Sequence, residues 1–133
     1  MEIINANKLE YQEEILDLAE RIKGQKRTRE QLTLWLKFNL GTDNFGVWLA
    51  AENGRAIGFV ACEIVEQYDP KVFIALIYVK TGKSGMDVLL SKVEEWAKEK
   101  DIKTIIVHWS RSPNTFIKKF GFQLKYSILI KDI

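Results

Sequence analysis

Four titratable side chains on predicted strands have the chemistry needed for proton transfer. They are Glu63, Tyr78, His108 and Tyr126. A carboxylate held on a strand can act as a general base, and a histidine or tyrosine that faces a cleft can donate a proton. The competing interpretation is structural: a glutamate at a strand end that points to solvent, a hydrogen-bonded histidine, and tyrosines that pack with a polar tip.

One loop is rich in glycine and lysine and reads Lys80-Thr81-Gly82-Lys83-Ser84-Gly85. Its middle, Gly82-Lys83-Ser84, is similar to the end of the phosphate-binding loop of nucleotide hydrolases. That pattern also needs a glycine at the position of Ile77. Because this glycine is missing, and no later strand ends in an obvious magnesium-binding aspartate, the sequence argues against nucleotide hydrolysis.

Composition and residue counts narrow the class of protein further. The chain has 133 residues, of which 47% are hydrophobic and 29% charged, with a formal net charge of +2. These values favour a single globular domain, residues 1–133, and give no reason to expect a nucleic-acid or membrane-surface partner. The chain start lacks a signal-peptide pattern, and no apolar run approaches the ~18 residues of a membrane span, so we expect a cytoplasmic protein.

Cysteine and histidine are too few for a metal cluster. Cys62 is the only cysteine and His108 the only histidine. An intramolecular disulfide is therefore excluded, and no metal site is expected. We interpret Cys62 as a small buried hydrophobic residue rather than a nucleophile.

The first half of the chain predicts one strand, two helices and a hairpin. Residues 1–6 form the strand, and capping boxes at Asn7 with Glu10 and at Thr28 with Gln31 start the helices. Alternating apolar residues over 45–51 predict the second strand. An Asn53-Gly54 turn then leads into a returning strand over residues 56–65.

The second half predicts the centre of a sheet. The apolar run 72–79 suits a strand covered on both faces, and a Tyr68-Asp69-Pro70 turn precedes it. An amphipathic helix follows, with one apolar face made of Met86, Leu89, Leu90, Val93, Trp96 and Ala97. A strand over 103–109, parallel to 72–79, then a short helix at 114–119 and a strand over 124–130 complete a mixed α/β sheet.

This order of elements resembles the GNAT superfamily of N-acyltransferases over essentially the whole chain. Three stretches carry the resemblance: the strand, loop and helix over 79–90, the long helix over 89–99, and an aromatic-Gly-Phe signature over 116–122. The resemblance implies a mostly antiparallel sheet with a parallel, splayed central strand pair and helices on both faces.

The resemblance also implies acetyl-CoA as the acyl donor. In the family, the pantetheine arm bonds to exposed backbone of the fourth strand, and the pyrophosphate rests on amides that open the long helix. The implied contacts are Ile77, Tyr78, Val79, Lys80, Thr81, Gly82, Lys83, Ser84, Gly85 and Met86. Asn114 lies close to the position of a family asparagine, where Ser110 stands.

The loop departs from the family pattern Gln/Arg-x-x-Gly-x-Gly/Ala. Counting back from Leu89-Leu90 places Thr81, Ser84 and Met86 at the motif positions. A frame shifted by one residue aligns Lys80 and Gly85 but puts Lys83 at a glycine position. A second interpretation of this loop is that Ser84 and Asp87 form a capping box.

The catalytic positions depart as well. The position of the family's tyrosine acid is Ile117, which cannot donate a proton. The early helices usually frame the acceptor pocket, so Trp35 is a candidate to line it. Lys26, Arg27 and Arg29 are candidates to steer an acidic acceptor, unless they form a solvated basic loop.

Two hypotheses follow. The first is an N-acetyltransferase that moves an acetyl group from acetyl-CoA to an amine of a small molecule or protein. The second is a catalytically inactive GNAT-like domain that binds acyl-CoA or another protein. The substitution at Ile117 favours the second, whereas Lys80, Lys83 and the loop glycines favour the first, which we prefer. The acceptor and the oligomeric state, including a homodimer, stay open.

Overall fold

The computed structural model describes residues 1–66, 69–107, 118–123 and 131–132. In these ranges the elements are β1 (Glu2–Asn5), a short 3-10 helix (Leu9–Tyr11), α1 (Gln12–Ala19), α2 (Arg29–Asn39), β2 (Phe45–Glu52), β3 (Arg55–Val65), β4 (Lys71–Val79), α3 (Met86–Glu99) and β5 (Ile105–Val107). The strands form one sheet in the order β1-β2-β3-β4-β5. All neighbours are antiparallel except the parallel pair of β4 and β5, which confirms the predicted mixed architecture.

Helices cover both faces of this sheet, and each face has its own hydrophobic core. The first core packs α1 and α2 on the sheet through Ile15, Leu16, Leu32, Leu36, Phe45, Val47, Leu49 and Phe59. The second packs α3 on the opposite face through Val60, Cys62, Val72, Ile74, Ile77, Leu89, Leu90 and Val93. The central strands are buried on both sides for this reason, as the apolar run in β4 predicted.

The capping box predicted at the start of α2 is confirmed. Thr28 Oγ1 accepts a hydrogen bond from the Gln31 amide at 3.1 Å, and Gln31 Oε1 accepts one from the Thr28 amide at 2.9 Å. The hairpin turn is confirmed too. Asn53 and Gly54 have φ values of 51° and 76°, as a type I′ turn requires.

The capping box predicted at Asn7 is wrong. The Asn7 side chain instead joins the loop before β2: its Nδ2 donates to the carbonyls of Thr42 (3.0 Å) and Phe45 (2.8 Å), and its Oδ1 accepts from the Gly41 amide (2.8 Å). α1 therefore begins at Gln12, directly after the 3-10 helix, and its N-cap residue Tyr11 provides no side-chain cap. The Asn7 side chain thus bonds to backbone groups that are distant in sequence, whereas the local pattern predicted that it would cap a helix.

Several predicted elements lie partly or wholly outside the described residues. These are the turn at Tyr68, the end of the strand at 103–109, most of the helix at 114–119, and the strand at 124–130. Within the described part, residues 118–120 are helical, and Phe120 and Phe122 pack against the α3-side core. No helix in the described ranges has the length and apolar character needed to cross a membrane.

The cap of α2 generates a stability prediction. We expect Thr28→Ala to lower the free energy of unfolding by about 1 kcal/mol, because the Gln31 amide loses its acceptor. Denaturant unfolding measures the change. Thr33→Ala is the matched control in the same helix, where the higher helix propensity of alanine makes the change near neutral. Equal losses in both variants would contradict the assigned cap.

Candidate functional site

β4 carries one extra residue in its middle. Ala61 of β3 pairs with Leu76, whereas the next residue, Cys62, pairs with Ile74. Ala75 therefore lies between two partners and forms a β-bulge. The described pairing of β4 with β5 covers Val72, Phe73 and Ile74, just before this bulge.

The bulge changes which face of the sheet the later side chains of β4 occupy. Side chains two residues apart normally share a face. Here Ile74 packs in the α3-side core, whereas Leu76 and Tyr78 pack on the side of α1 and α2. Ile77 and Val79 consequently return to the α3 side. The extra residue thus decides which side chains of the last third of β4 face each helix layer.

The end of β4 is held tightly against β3. A Cβ on Gly58 would lie 2.6 Å from the Tyr78 carbonyl oxygen and 3.1 Å from Val79 Cα, so only glycine allows this approach. Next to it, Ile57 is the extra residue of a second bulge, between β2 and β3. Its carbonyl accepts a hydrogen bond from the Lys80 amide at 2.7 Å, which fixes the first residue of the loop.

The loop that follows β4 is short and exposed. The Lys83 amide donates to the Lys80 carbonyl at 3.0 Å, and Gly82 between them has a φ of 81°, which favours glycine. The side chains of Thr81 and Ser84 are exposed. The loop is thus a compact turn that delivers the chain directly to the amino end of α3.

The amino end of α3 has no side-chain cap. The N-cap residue is Gly85, which is buried and has a φ of 152°; a Cβ on it would lie 3.6 Å from Sδ and Cε of Met1. The predicted capping box of Ser84 with Asp87 is wrong, because Ser84 lies one residue outside the N-cap position. The first bond across the helix start runs from the Leu89 amide to the Gly85 carbonyl at 2.9 Å. The amides before Leu89 lack a carbonyl four residues earlier within the helix, so this end can bind an anion.

Charged side chains of both signs surround this helix end. Lys80 is exposed, and Asp87 lies in the first turn of α3. Lys83 Nζ donates to Glu52 Oε1 at 3.1 Å, across a gap of 31 residues in sequence. Sequence reasoning missed Glu52, since only the sheet topology brings the end of β2 to this loop.

Two of the predicted catalytic residues share the α1/α2 face of the sheet. Glu63 is half-buried and pairs with Phe45 and Phe73 on the neighbouring strands. Tyr78 packs at the edge of the first core and pairs with Phe59. Glu63 lies four positions after Phe59 on β3, which is roughly 13 Å of strand, so Glu63 and Tyr78 cannot exchange a proton directly. His108, Tyr126, Asn114 and Ile117 lie outside the described residues.

Cys62 is buried, and its thiol is poorly reactive. Its Sγ lies 3.5 Å from the Gly46 carbonyl oxygen, to which it donates. Burial, with a smaller contribution from the Glu63 carboxylate, raises the pKa of the Cys62 thiol far above its usual value. The thiol is therefore protonated at neutral pH, in agreement with its interpretation as a small hydrophobic residue.

Arg29, the first residue of α2, makes its ion pairs within the protein. Arg29 binds three carboxylates of α1 and its end: Glu13 at 2.6 Å, Asp17 at 3.0 Å, and Glu20. These hydrogen bonds raise the pKa of Arg29 above its ordinary value, and the bond to Glu20 contributes most. Because Arg29 joins α2 to α1, we no longer assign it a role in steering an acceptor.

The Trp35 ring contacts an aromatic ring and a guanidinium group. Its ring meets Phe45 edge to face, with centroids 5.2 Å apart, and the Arg27 guanidinium lies 5.4 Å from its centroid. Trp35 is half-buried at the rim of the first core. A role in lining an acceptor pocket remains a prediction for this residue.

The site thus consists of a bulged central strand and a short loop that leads to the amino end of α3. The model of the family described as "Acetyltransferase (GNAT) family" matches residues 12–122. The chain therefore belongs to the GNAT acetyltransferase family, as the resemblance predicted. No curated protein matches the sequence.

Solved structures of acetyltransferases share the fold. An aminoglycoside antibiotic 6'-N-acetyltransferase from Acinetobacter haemolyticus has a TM-score of 0.85 at 18% identity, over 100% of this chain and 98% of that one. AAC(6')-Iy, in complex with a bisubstrate analogue of CoA, has a TM-score of 0.80 at 20% identity, over 99% and 97%. A protein from Clostridium acetobutylicum described as a predicted acetyltransferase, solved with acetyl-CoA, has a TM-score of 0.79 at 20% identity, over 98% and 95%. At such identities the likeness establishes the fold alone.

The state of Cys62 generates a chemical prediction. We expect the native protein to react very slowly with an aromatic disulfide reagent at neutral pH, because the thiol is buried and protonated. The absorbance of the released aromatic thiolate measures the rate. The same protein unfolded in guanidinium should react rapidly and completely, which provides the control. Fast, complete reaction of the native protein would contradict the assigned burial.

Proposed function

We propose that the protein transfers an acetyl group from acetyl-CoA to an amine. The observation that carries the proposal is the uncapped amino end of α3, which follows directly after the anchored end of β4. Unpaired amides and the positive end of the helix dipole suit the pyrophosphate of CoA. Lys80 and Lys83 add positive charge beside it.

The pantetheine arm would lie along the last third of β4. Beyond Ile74, no described strand pairs with β4 on its β5 side. The backbone of Ile77, Tyr78 and Val79 could then bind pantetheine amides in the manner of an added strand. Thr81, Gly82, Ser84, Gly85 and Met86 complete the proposed cofactor site, with Asn114 added from the sequence alone.

The proposed reaction is direct attack of the acceptor amine on the thioester carbonyl. A carbon–nitrogen bond forms, the carbon–sulfur bond breaks, the amine loses a proton, and the leaving thiolate gains one. Backbone amides of β4 would polarise the carbonyl, and fixed geometry would supply much of the rate. Among the described residues, Tyr78 is our candidate acid, and Glu63 is our candidate base, acting through water. His108 and Tyr126 remain candidates on sequence grounds.

The charge around α1 is mixed and selects no acceptor class, because the three carboxylates that bind Arg29 are followed in the chain by Arg21, Lys23, Lys26 and Arg27. Aminoglycosides belong in the acceptor panel, because structural relatives of this chain are aminoglycoside acetyltransferases.

We expect acetyl-CoA to stabilise the protein and to be consumed when the right amine is present. Ligand at 100 times its dissociation constant should add about 2.7 kcal/mol to the free energy of unfolding, which a thermal shift detects. Release of the CoA thiol across an amine panel measures transfer, with little background because Cys62 is buried.

The two readouts separate the two hypotheses. Absence of a shift at millimolar acetyl-CoA would contradict acyl-CoA binding. A shift without thiol release for any amine would favour the catalytically inactive binding domain, as the isoleucine at position 117 suggests.

We expect Tyr78→Phe to lower kcat by about 10²-fold or more, because the leaving thiolate would lose its proton donor. Tyr11→Phe is the matched control, since Tyr11 also packs at the edge of the first core but lies on the 3-10 helix. Steady-state rates of thiol release measure both variants, and CoA affinity should stay unchanged. An unaltered kcat for Tyr78→Phe would remove Tyr78 from the mechanism.

A further inference from the structure

One ion pair ties the β2–β3 hairpin to the proposed pyrophosphate loop. Lys83 Nζ lies 3.1 Å from Glu52 Oε1, and the two side chains are 42% and 32% exposed. Glu52 is the last residue of β2, immediately before the Asn53-Gly54 turn. The carboxylate therefore comes from a paired hairpin, whereas the ammonium belongs to an exposed loop.

The strand that carries Glu52 also reaches the amino end of α3. A Cβ on Gly85 would lie 3.8 Å from the Cβ of Ala50, two residues before Glu52. The carboxylate thus belongs to the strand that contacts the N-cap residue of α3, and it binds a lysine of the loop before that helix. In that position it neutralises the Lys83 ammonium, so the lysine attracts an incoming anion less strongly.

We propose that Glu52 is an internal competitor for Lys83 that sets the affinity of the site for the diphosphate of acyl-CoA. This inference rests on the proposed function. In the free protein Glu52 holds the Lys83 ammonium, and on binding the diphosphate takes it over. Glu52 is a positioning residue in this scheme, because it acts on the ligand through Lys83.

The geometry makes this exchange easy. A partly exposed lysine–carboxylate pair contributes little to stability, so a diphosphate with more charge can replace the carboxylate. The Lys83 amide stays bonded to the Lys80 carbonyl, and only side-chain torsions need to change. Lys80, by contrast, forms no ion pair within the described residues and is available from the start.

The test is calorimetric titration of CoA into the unmodified protein, Glu52→Gln, Lys83→Gln and the double variant. We expect Glu52→Gln to bind CoA about two- to fivefold more tightly, the range expected from removing one exposed charge pair. Lys83→Gln should bind more weakly, and adding Glu52→Gln to it should restore little. The gain from Glu52→Gln should shrink as salt rises.

A matched control separates the ion pair from a general change of charge. Glu2→Gln makes the same change on β1, where Glu2 is exposed, pairs with Ala51 next to Glu52, and forms no ion pair within the described residues. CoA affinity should not change in this variant. Pantetheine, which lacks phosphates, should bind the unmodified protein and Glu52→Gln equally.

The outcomes distinguish the two proposals. If the unmodified protein binds CoA but Glu52→Gln binds it equally or more weakly, the competitor role is overturned and the proposed function stands. An equal gain in Glu2→Gln, or a gain for pantetheine, would also overturn it. If the unmodified protein does not bind CoA, both proposals fall. Thermal unfolding without ligand verifies that each variant is folded.

Discussion

The arrangement of the site depends on one added residue in the central strand. Side chains alternate between the two faces along a strand. The bulge at Ala75 interrupts this alternation, so each later side chain of β4 lies on the face opposite to the one that regular alternation would give it. Tyr78 thereby joins the α1/α2 side, and Ile77 and Val79 join the α3 side. If the strand alternated regularly through Ala75, Leu76 and Tyr78 would face α3, and the sheet would separate the candidate acid from Glu63. Gly58 then holds the shifted strand end in place by close backbone contact.

α3 is stabilised through its face rather than through its first turn. Near its carboxyl end, Trp96 meets Trp48 edge to face with centroids 5.9 Å apart, and a Cβ on Gly46 would come within 2.8 Å of the Trp48 ring. At the other end, the glycine N-cap costs only about a few tenths of a kcal/mol relative to a serine or aspartate cap. Burial of Leu89, Leu90 and Val93 offsets that cost several-fold. The helix can therefore leave its amino end open, which is what an anion site needs.

The structural features that could be predicted from the sequence are those that depend on only a few neighbouring residues. The Thr28 cap, the Asn53-Gly54 turn and the apolar face of α3 are local patterns, and the structure confirms each. The Asn7 cap failed because its amide bonds to carbonyls 35 and 38 residues away. Register and long-range pairing have no local signature, so neither the Ala75 bulge nor the partner of Lys83 could be predicted. An isolated glycine within a strand, as at Gly58, was the one available hint.

The loop before α3 shows why its departure from the family pattern need not remove an anion site. A glycine is required where the backbone adopts a positive φ or where a ligand must approach it closely. In this loop the residues with positive φ are Gly82 at 81° and Gly85 at 152°, and both are glycine. The side chains of Thr81 and Ser84, which occupy motif positions in the frame counted from Leu89-Leu90, are exposed. Backbone amides rather than side chains would hold the pyrophosphate. The chain therefore needs glycine only where this loop has a positive φ, and it has glycine at both positions. Lys80, Lys83 and Glu52 then set the charge beside the proposed pyrophosphate position.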